Sequence, residues 1–355
     1  MVTSESFFLA QDGVNAWLAR LTEQMRVMVP VREGNAVVYA EFDPDKPFVL
    51  GCQTAASPKH VVFPQNEYLL EYRLARDADD QGHRAVEIKA TYPEQATFVF
   101  GTNPCGARGL ATLDPVLLEG AVVDPYFKAR REMSCIASVV CLSPGDACFC
   151  HWVGGAPDDS TGSDLLLTPV QGGFLVEVHT DKGRSLVADS LVMATSQQQQ
   201  EADSVRAQVK QGLVPGLDLT DSHTWMEKAF DDMDLWRRVS DACIYCGVCT
   251  YNCPTCYCFN ITDEASGLAG ERIRSWDSCM FAHYTREASG HNPRPTKDYR
   301  YRNRILHKFS YYPKLYNGVK SCTGCGRCIH LCPAGLDIRE VLAEIKASIM
   351  ENDGD

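Results

Sequence analysis

Residues 243–259 read CIYCGVCTYNCPTCYCF, and residues 322–333 read CTGCGRCIHLCP. Both segments contain the pattern C-x2-C-x2-C-x3-C-P, the spacing that holds cubane iron–sulfur clusters in bacterial ferredoxins. Three closely spaced thiolates wrap one cluster, whereas the fourth cysteine usually ligates the other cluster of the pair. We therefore predict two [4Fe–4S] clusters. The first would be held by Cys243, Cys246, Cys249 and Cys332, and the second by Cys322, Cys325, Cys328 and Cys253.

Structural zinc is the alternative metal for these cysteines. A zinc ion takes four ligands, usually from two C-x2-C pairs. That arrangement leaves the third closely spaced cysteine of each segment unexplained, together with Pro254 and Pro333. The spacing therefore favours clusters over zinc.

The composition indicates a protein of a reducing compartment. The chain has 355 residues, enough for two or three domains, and seventeen of them are cysteines. It shows no signal peptide, no twin-arginine signal and no apolar run long enough to cross a bilayer, so we expect a cytoplasmic protein without membrane insertion. The net charge of −12 argues against nucleic acid as a partner.

A basic stretch between residues 294 and 308 departs from this acidic balance. It carries six Arg and Lys residues with aromatic residues among and just beyond them. Such a stretch could bind nucleic acid. We favour the alternative that it surrounds anionic clusters or docks an acidic partner subunit, because the whole chain is acidic.

The predicted fold class is α+β, in two domains. Residues 1–215 alternate helical and strand-like patterns, with a helix over 7–26, a short helix over 64–72 and an antiparallel meander ending at 185–187. A boundary is expected near the breakers Gly212, Pro215 and Gly216. Residues 216–355 would form an α-helical ferredoxin domain, with helices over 222–242 and 338–350. Cys243 and Cys322 are 79 positions apart, and this wide separation favours an α-helical ferredoxin domain over a compact β-rich ferredoxin.

Four further cysteines could form a third site. Cys148 and Cys150 form a C-x-C pair, and positions i and i+2 of an extended segment project to the same side. Cys141 lies seven residues before Cys148, and Cys105 would join from a distant loop. The alternative is that these are ordinary buried cysteines, which pack as small apolar side chains.

The remaining cysteines fall into two groups. Cys256, Cys258 and Cys279 lie near the first set, and they could be alternative ligands, an additional site, or a thiol-rich lining that tunes cluster potentials. We favour lining, because eight cysteines already satisfy two clusters. Cys52 and Cys135 have no partner pattern and are interpreted as packing residues.

Nucleotide-binding and hydrolytic motifs are missing. We find no G-x-G-x-x-G between a strand and a helix, no Walker A sequence, no Ser/His/Asp signature and no H-E-x-x-H. Any flavin or nicotinamide chemistry would therefore belong to another polypeptide. His283, His291 and His307 are isolated and are interpreted as structural rather than catalytic.

With these residues in view, the chain resembles the iron–sulfur beta subunits of cytoplasmic NAD(P)-linked nickel–iron hydrogenases (sulfhydrogenases) and the corresponding iron–sulfur subunit of anaerobic sulfite reductase. The matching segments are SPKHVVFPQNEYLL (57–70), CFC with its following glycines (148–155), CIYCGVCTYNCPTCYCF (243–259), RSWDSC (274–279), GHNPRP (290–295), RNRILHKF (302–309) and CTGCGRCIHLCP (322–333). The resemblance implies that the chain passes electrons between a flavin- and NAD(P)H-binding reductase subunit and a catalytic redox subunit. It also implies that Cys105, Cys141, Cys148 and Cys150 hold a third [4Fe–4S] cluster. This chain departs from the family at Gly106, where an acidic residue is expected.

Three hypotheses follow. The first is an electron-transfer subunit with two to three [4Fe–4S] clusters and no catalytic residue, serving a hydrogenase, sulfite reductase or heterodisulfide-type enzyme. The second is a catalytic subunit whose cluster has fewer than four protein ligands and binds a sulfur substrate, as the spare cysteines near the first set would allow. The third is a redox-responsive regulator that binds nucleic acid through residues 294–308. We favour the first on motif specificity and charge. The terminal donor or acceptor, the direction of electron flow and the stoichiometry of the complex are not fixed by the sequence.

Overall fold

The structure, a computed structural model, describes residues 5–51, 53–76, 84–187 and 190–353. Within these residues the strands form one eight-stranded and one four-stranded sheet. The strands are β1 (Ser6–Ala10), β2 (Arg26–Glu33), β3 (Ala36–Glu41), β4 (Asn66–Arg76), β5 (Arg84–Ala90), β6 (Thr97–Thr102), β7 (Ser134–Val139), β8 (Leu165–Val170), β9 (Gly173–Val178), β10 (Val192–Met193), β11 (Phe259–Ser266) and β12 (Ala269–Trp276). The α-helices are α1 (Val14–Leu21), α2 (Pro104–Ala111), α3 (Asp114–Leu117), α4 (Pro125–Glu132), α5 (Asp181–Val187), α6 (Ser196–Gln211), α7 (Ser222–Trp225), α8 (Met233–Ser240), α9 (Val248–Tyr251), α10 (Lys297–Leu306), α11 (Tyr312–Leu315), α12 (Arg327–His330) and α13 (Ile338–Asp353).

The eight-stranded sheet is mixed, with the order β10-β1-β9-β8-β7-β6-β2-β3. Its central strands β2, β6, β7 and β8 pair in parallel, whereas the outer pairs are antiparallel. Parallel neighbours end at the same edge of a sheet. The loops that follow β6 and β7 therefore leave this edge side by side.

Both faces of this sheet are covered. Alternate residues of each strand enter opposite cores, as shown by Phe98 and Phe100 on one face and Val99 on the other. Trp17 of α1 packs on the first face, and Leu110 of α2 packs on the second. The strands are apolar on both sides because both sides are buried between helices. The result is a helix–sheet–helix layer arrangement in the first half of the chain.

The four-stranded sheet joins the two halves of the sequence. Its order is β11-β12-β4-β5, and all pairs are antiparallel. The hairpin β11–β12 comes from the segment between the two cysteine motifs, whereas β4 and β5 come from the first hundred residues. At this joint Arg274 pairs with Glu67, and both side chains are buried. Residues 1–215 and 216–355 thus share one sheet.

The C-terminal half is otherwise mainly helical. Helices α8, α10 and α13 surround a core that contains Trp236, Ile305, Phe309 and Leu342. A π-helical turn, His307–Tyr311, continues α10. It is followed by the second cysteine motif.

Several local predictions differ from the structure. The predicted helix over 7–26 is a strand, a 3-10 turn and the short helix α1, because β1 pairs with β9. The predicted helix over 64–72 is wrong, since this segment begins β4. The predicted strand at 185–187 is part of α5, and the helix over 222–242 is broken into α7, a 3-10 turn and α8. The C-terminal helix over 338–350 is confirmed as α13.

Candidate iron–sulfur centres

The sheet edge brings Cys105 and Cys141 together. Cys105 lies in the first turn of α2, three residues after β6, and Cys141 follows β7 by two residues. Since β6 and β7 are parallel neighbours, both cysteines leave the same edge. Sequence patterns showed no sign of this parallel pairing. A Cβ at Gly106 would lie 2.8 Å from Thr102 Oγ1 and 3.2 Å from Pro58 Cδ, so a larger residue here would require these side chains to shift.

Cys148 and Cys150 complete this third set. The thiols of Cys141 and Cys148 interact electrostatically with each other and with those of Cys105 and Cys150. Burial raises the pKa of Cys141 and of Cys150 to about 11 and raises that of Cys105 well above its usual range. Burial disfavours isolated thiolates, so these sulfurs would ionise against a positively charged iron centre.

The two cysteine motifs adopt the same backbone conformation. The third residue of each motif has a positive φ, +58° at Tyr245 and +62° at Gly324. The fifth residue is a glycine with φ +73° in both, and it caps a four-residue helix that carries the third cysteine. Tyr245 is unusual, because residues with a side chain rarely adopt this region. The two motifs thus share both their cysteine spacing and the backbone φ angles at their third and fifth positions.

The first set surrounds a partly enclosed cavity. Cys243, Cys246 and Cys249 line it together with Cys332 of the second motif. The backbone amide of Leu336 donates to Cys332 Sγ over 3.4 Å. This arrangement fits the predicted ligand set, in which the fourth cysteine, Cys332, comes from the other motif.

The second set is more deeply buried. Cys322 interacts electrostatically with Cys253 and Cys328, and Cys328 also interacts with Cys325. Burial raises the pKa of Cys322 and of Cys328 to about 12. The Cys256 thiol and the Lys308 ammonium hold the pKa of Cys253 well below its usual range. Lys308 Nζ donates to Cys253 Sγ over 3.3 Å.

The second and third sets are in direct contact. The amide of Phe149 donates to the carbonyl oxygen of Gly324 over 2.8 Å. Cys148 Sγ lies 3.8 Å from the carbonyl oxygen of Cys325. A Cβ at Gly326 would lie 2.5 Å from the carbonyl oxygen of Ala147. The glycines of CTGCGRC allow this close backbone approach to the CFC segment.

Buried cations lie among the three sets. Arg304 and Arg327 are 4% and 2% exposed, and Lys308 is also buried. Arg304 interacts with Cys249 and Cys328, whereas Arg327 interacts with Cys325 and Cys105. The sequence predicted that residues 294–308 surround anionic clusters or dock an acidic partner subunit. Arg304 and Lys308 of that stretch are buried beside the cysteine sets, which supports the first alternative for these two residues. Arg300 is also buried, but it donates to backbone carbonyl oxygens.

The residues present fit iron–sulfur clusters. Arg304 Nε and Arg327 Nη1 are buried without a hydrogen-bond partner among the described residues. A buried N–H group without an acceptor is costly, and the sulfurs of a thiolate-bound cluster are acceptors of the required charge. No three His, Cys, Asp or Glu side chains in the described part of the chain converge closely enough to hold a single metal ion. The first cysteine set instead lines a cavity.

Three further thiols lie beside these sets. Cys256 hydrogen-bonds to Cys253, and its carbonyl oxygen accepts from Lys59 Nζ over 2.8 Å. Cys279 and Tyr284 donate hydrogen bonds to Cys258, and the Cys279 bond, the larger effect, helps to lower the pKa of Cys258 to about 6. These contacts are with other thiols and cations, as expected of a lining. Cys135 lies in the apolar core, as predicted, whereas Cys52 lies outside the described residues.

The three histidines interpreted as structural differ in their exposure. His283 and His291 are exposed. His307 Nε2 lies 3.0 Å from the hydroxyl of Tyr257. None of the described helices combines the length and apolarity needed to cross a membrane.

Comparison with known proteins supports [4Fe–4S] clusters in this chain. Residues 242–336 match the 4Fe-4S dicluster domain family. The chain is 32% identical over 347 residues to sulfhydrogenase 2 subunit beta of Pyrococcus furiosus, covering 93% of this chain and 95% of that protein. It is 20% identical over 193 residues to the F420-dependent formate dehydrogenase subunit beta of Methanocaldococcus jannaschii, covering 52% of this chain and 41% of that protein. No solved structure matches it.

The dicluster domain and these relatives define an iron–sulfur, electron-transfer subunit of an oxidoreductase. The chain belongs to the iron–sulfur beta-subunit family of sulfhydrogenase.

Proposed function

We propose that this chain relays single electrons through three [4Fe–4S] clusters between two partner subunits. Cluster 1 would be held by Cys243, Cys246, Cys249 and Cys332, cluster 2 by Cys322, Cys325, Cys328 and Cys253, and cluster 3 by Cys105, Cys141, Cys148 and Cys150. The residues 216–355 would form the α-helical two-cluster domain, and residues 1–215 would supply cluster 3. When bound, such clusters accept and release one electron each.

The order of the path rests on shared neighbours. Arg304 interacts with Cys249 of the first set and Cys328 of the second. Phe149, between the two cysteines of the CFC pair, hydrogen-bonds to Gly324 of the second motif. These contacts support the proposal, because one joins the second set to the first and the other joins the second set to the third. A path of this order needs no substrate site on the chain.

Each end of the proposed path reaches a surface. Cys246 is exposed, and its neighbour Ile244 is 61% exposed. Cys148 lines a surface cleft of about 890 Å³, whose apolar residues include Trp152 and the exposed Val214. Apolar surface beside a redox centre suits a docking partner. The two ends would therefore contact different subunits.

The partners would be a flavin- and NAD(P)H-binding reductase subunit and a catalytic redox subunit. This chain would carry no flavin or NAD(P) itself, since its sequence contains no dinucleotide-binding motif. It would bind no nucleic acid, because its charge is −12 and Arg304 and Lys308 of the basic stretch are buried. The motif content supports a hydrogenase, sulfite reductase or heterodisulfide-type complex in the cytoplasm.

Cys246→Ala tests the path. It should remove one cluster's electron paramagnetic resonance (EPR) signal and stop electron flow between the partner subunits, while each partner's half-reaction with an artificial electron carrier is retained. Cys135→Ala is the matched control, because Cys135 is a buried cysteine of the sheet core. Unimpaired turnover of the complex with the cluster missing would refute the relay.

A catalytic subunit with an open cluster site is the second candidate. The observation that favours it is the group Cys256, Cys258 and Cys279 beside the second set. In that case a sulfur substrate would change the spectrum of the isolated chain. Twelve cysteine ligands for about twelve iron atoms per chain would exclude it, since every cluster would then be fully ligated.

A further inference from the structure

Two buried arginines lack both a carboxylate partner and an acceptor for one of their N–H groups among the described residues. Arg304 and Arg327 are 4% and 2% exposed, and neither forms an ion pair with a carboxylate among the described residues. Transfer of an unpaired charge from water to a protein interior costs several kcal/mol. Their position therefore requires negative charge of another kind nearby. The thiolates and sulfides of iron–sulfur clusters would supply it.

Arg304 differs from its neighbour one turn earlier on α10. Arg300 is also buried, but its Nε donates to the carbonyl oxygen of Met280 and its Nη1 to those of Arg294 and Pro295, all over 3.0 Å. Arg304 lines the cavity of the first set, and its Nε has no partner among the described residues. Hydrogen bonds to backbone carbonyl oxygens explain the burial of Arg300. No such bonds within the described part of the chain explain the burial of Arg304.

Arg304 lies between the first and second cysteine sets. The cavity that it lines also contains Cys243 and Cys249 of the first set and Cys328 of the second. Electrostatically, Cys249 and Cys328 are its two strongest thiol neighbours. One guanidinium thus faces ligands of two clusters.

Arg327 lies in the same way between the second and third cysteine sets. Its Nε donates to the carbonyl oxygen of Thr54 over 2.8 Å, and its Nη2 to Thr54 Oγ1 over 3.1 Å. Its Nη1 has no partner in the described part of the chain. Its strongest thiol neighbours are Cys325 of the second set and Cys105 of the third. Thr54 fixes one side of the guanidinium and leaves the other free.

We propose that Arg304 and Arg327 are potential-setting residues, each shared by two adjacent clusters. Arg304 donates to sulfur of clusters 1 and 2, and Arg327 donates to sulfur of clusters 2 and 3. A positive charge stabilises the reduced, more negative state of a cluster, so each arginine raises the reduction potentials on both of its sides. Cluster 2 lies beside both arginines, so both charges raise its potential. This inference rests on the three-cluster path proposed above.

The test is an EPR-monitored redox titration of the full chain, reconstituted anaerobically with iron and sulfide. Arg304→Gln should lower the midpoint potentials of clusters 1 and 2 and leave that of cluster 3, whereas Arg327→Gln should lower those of clusters 2 and 3 and leave that of cluster 1. At the wild-type midpoint, the ratio of reduced to oxidised cluster should fall at least tenfold, or about 59 mV for one electron. Signals are assigned with Cys246→Ala, Cys328→Ala and Cys148→Ala.

Two variants separate local charge from general effects. Arg302→Gln removes a charge from the same helix, at a residue that donates to the carbonyl oxygen of Phe230, and should leave all three potentials unchanged. Arg304→Lys keeps the charge and should shift the potentials less than Arg304→Gln. If Arg304→Gln does not retain iron, Arg327→Gln provides the same test between the second and third sets.

The outcomes distinguish this inference from the function on which it rests. Unchanged midpoints in the two Gln variants with full iron would overturn the role of the arginines, as would equal shifts of all clusters in every variant. Wild-type protein with about eight iron atoms or fewer per chain would instead refute the three-cluster path.

Discussion

A single methyl group at Gly324 should separate the second and third centres. Gly324 has a φ of +62°, and a Cβ there would lie 2.4 Å from the carbonyl carbon and oxygen of Phe149 and 2.5 Å from the amide nitrogen of Cys150. Real Cβ atoms essentially never approach other atoms within 3.0 Å. All three atoms belong to the backbone, so the segment that carries Cys148 and Cys150 has to move by about 1 Å in Gly324→Ala.

The cost of Gly324→Ala follows from three effects. The left-handed conformation costs about 1 kcal/mol for alanine. Overpacking costs about 1–3 kcal/mol, and loss of the hydrogen bond from Phe149 adds about 1 kcal/mol. Gly318 provides the matched control, because its φ is +80° and nothing lies within 4 Å of its Cβ position. Gly318→Ala should therefore cost only about 1 kcal/mol, against about 3–5 kcal/mol for Gly324→Ala.

Iron content and EPR spectra give the assay. Gly324→Ala should lose the cluster 3 signal, so that iron falls from about twelve to about eight atoms per chain, while clusters 1 and 2 remain. Gly318→Ala should retain all three signals and show only a slightly lower denaturation midpoint. The steric argument would be refuted if Gly324→Ala kept three clusters and unfolded at the same urea concentration as Gly318→Ala.

Two further predictions concern stability. Arg274→Met should lower the free energy of unfolding by about 3 kcal/mol, because it removes the cation shared by the buried Glu67 and the half-buried Asp124 and leaves Glu67 with Arg130 alone; Arg274→Met combined with Glu67→Gln should recover part of this loss in urea denaturation. Burial, with the nearby Lys308 charge, lowers the pKa of His307 to about 4 from 6.5, so the unfolded chain binds more protons between these values and stability falls as the pH drops through this window. Between pH 7.5 and 5.5 the loss should be about 1.4 kcal/mol, and it should disappear in His307→Gln; an equal loss in both proteins would contradict this origin.

The cysteine spacing predicted the first two ligand sets, but the sequence did not predict how the protein brings the third set to them. Cys105 and Cys141 are 36 positions apart, and they meet because β6 and β7 are parallel neighbours. Parallel pairing is a long-range property with no local signature in either strand. The family resemblance implied these ligands. The sheet topology explains why these two cysteines lie close together.

Other failures have the same long-range origin. Residues 64–72 have the apolar content of a short helix, yet β4 lies between β12 and β5 and hydrogen-bonds to both. The polar β11 is exposed along its whole length and gave no strand signal. It forms because β12 is already held by β4, through Arg274 and Glu67. Tertiary contacts thus override weak local preferences in the segment that joins the two halves.

The burial of the cations could be predicted from the sequence only in part. The four-residue spacing of Arg300, Arg304 and Lys308 places them on one helix face, which a periodicity argument could have found. What the periodicity could not give is that this face points inward. Arg327 lies inside the second motif, between Cys325 and Cys328, where no spacing of charged residues indicates its burial. Its partner Thr54 is 273 residues away.

The two cysteine motifs are the same loop with different outer surfaces. Tyr245 and Gly324 occupy the same motif position with nearly the same φ, yet only the first carries a side chain. The Tyr245 ring packs under Arg300, 5.1 Å from its guanidinium carbon, beside the exposed Cys246. Gly324 has backbone of the CFC segment where that ring would be. A motif that must admit a neighbouring centre needs glycine there, whereas a motif that ends at the surface does not. This difference supports the proposed path, in which the first set lies at an end and the second in the middle.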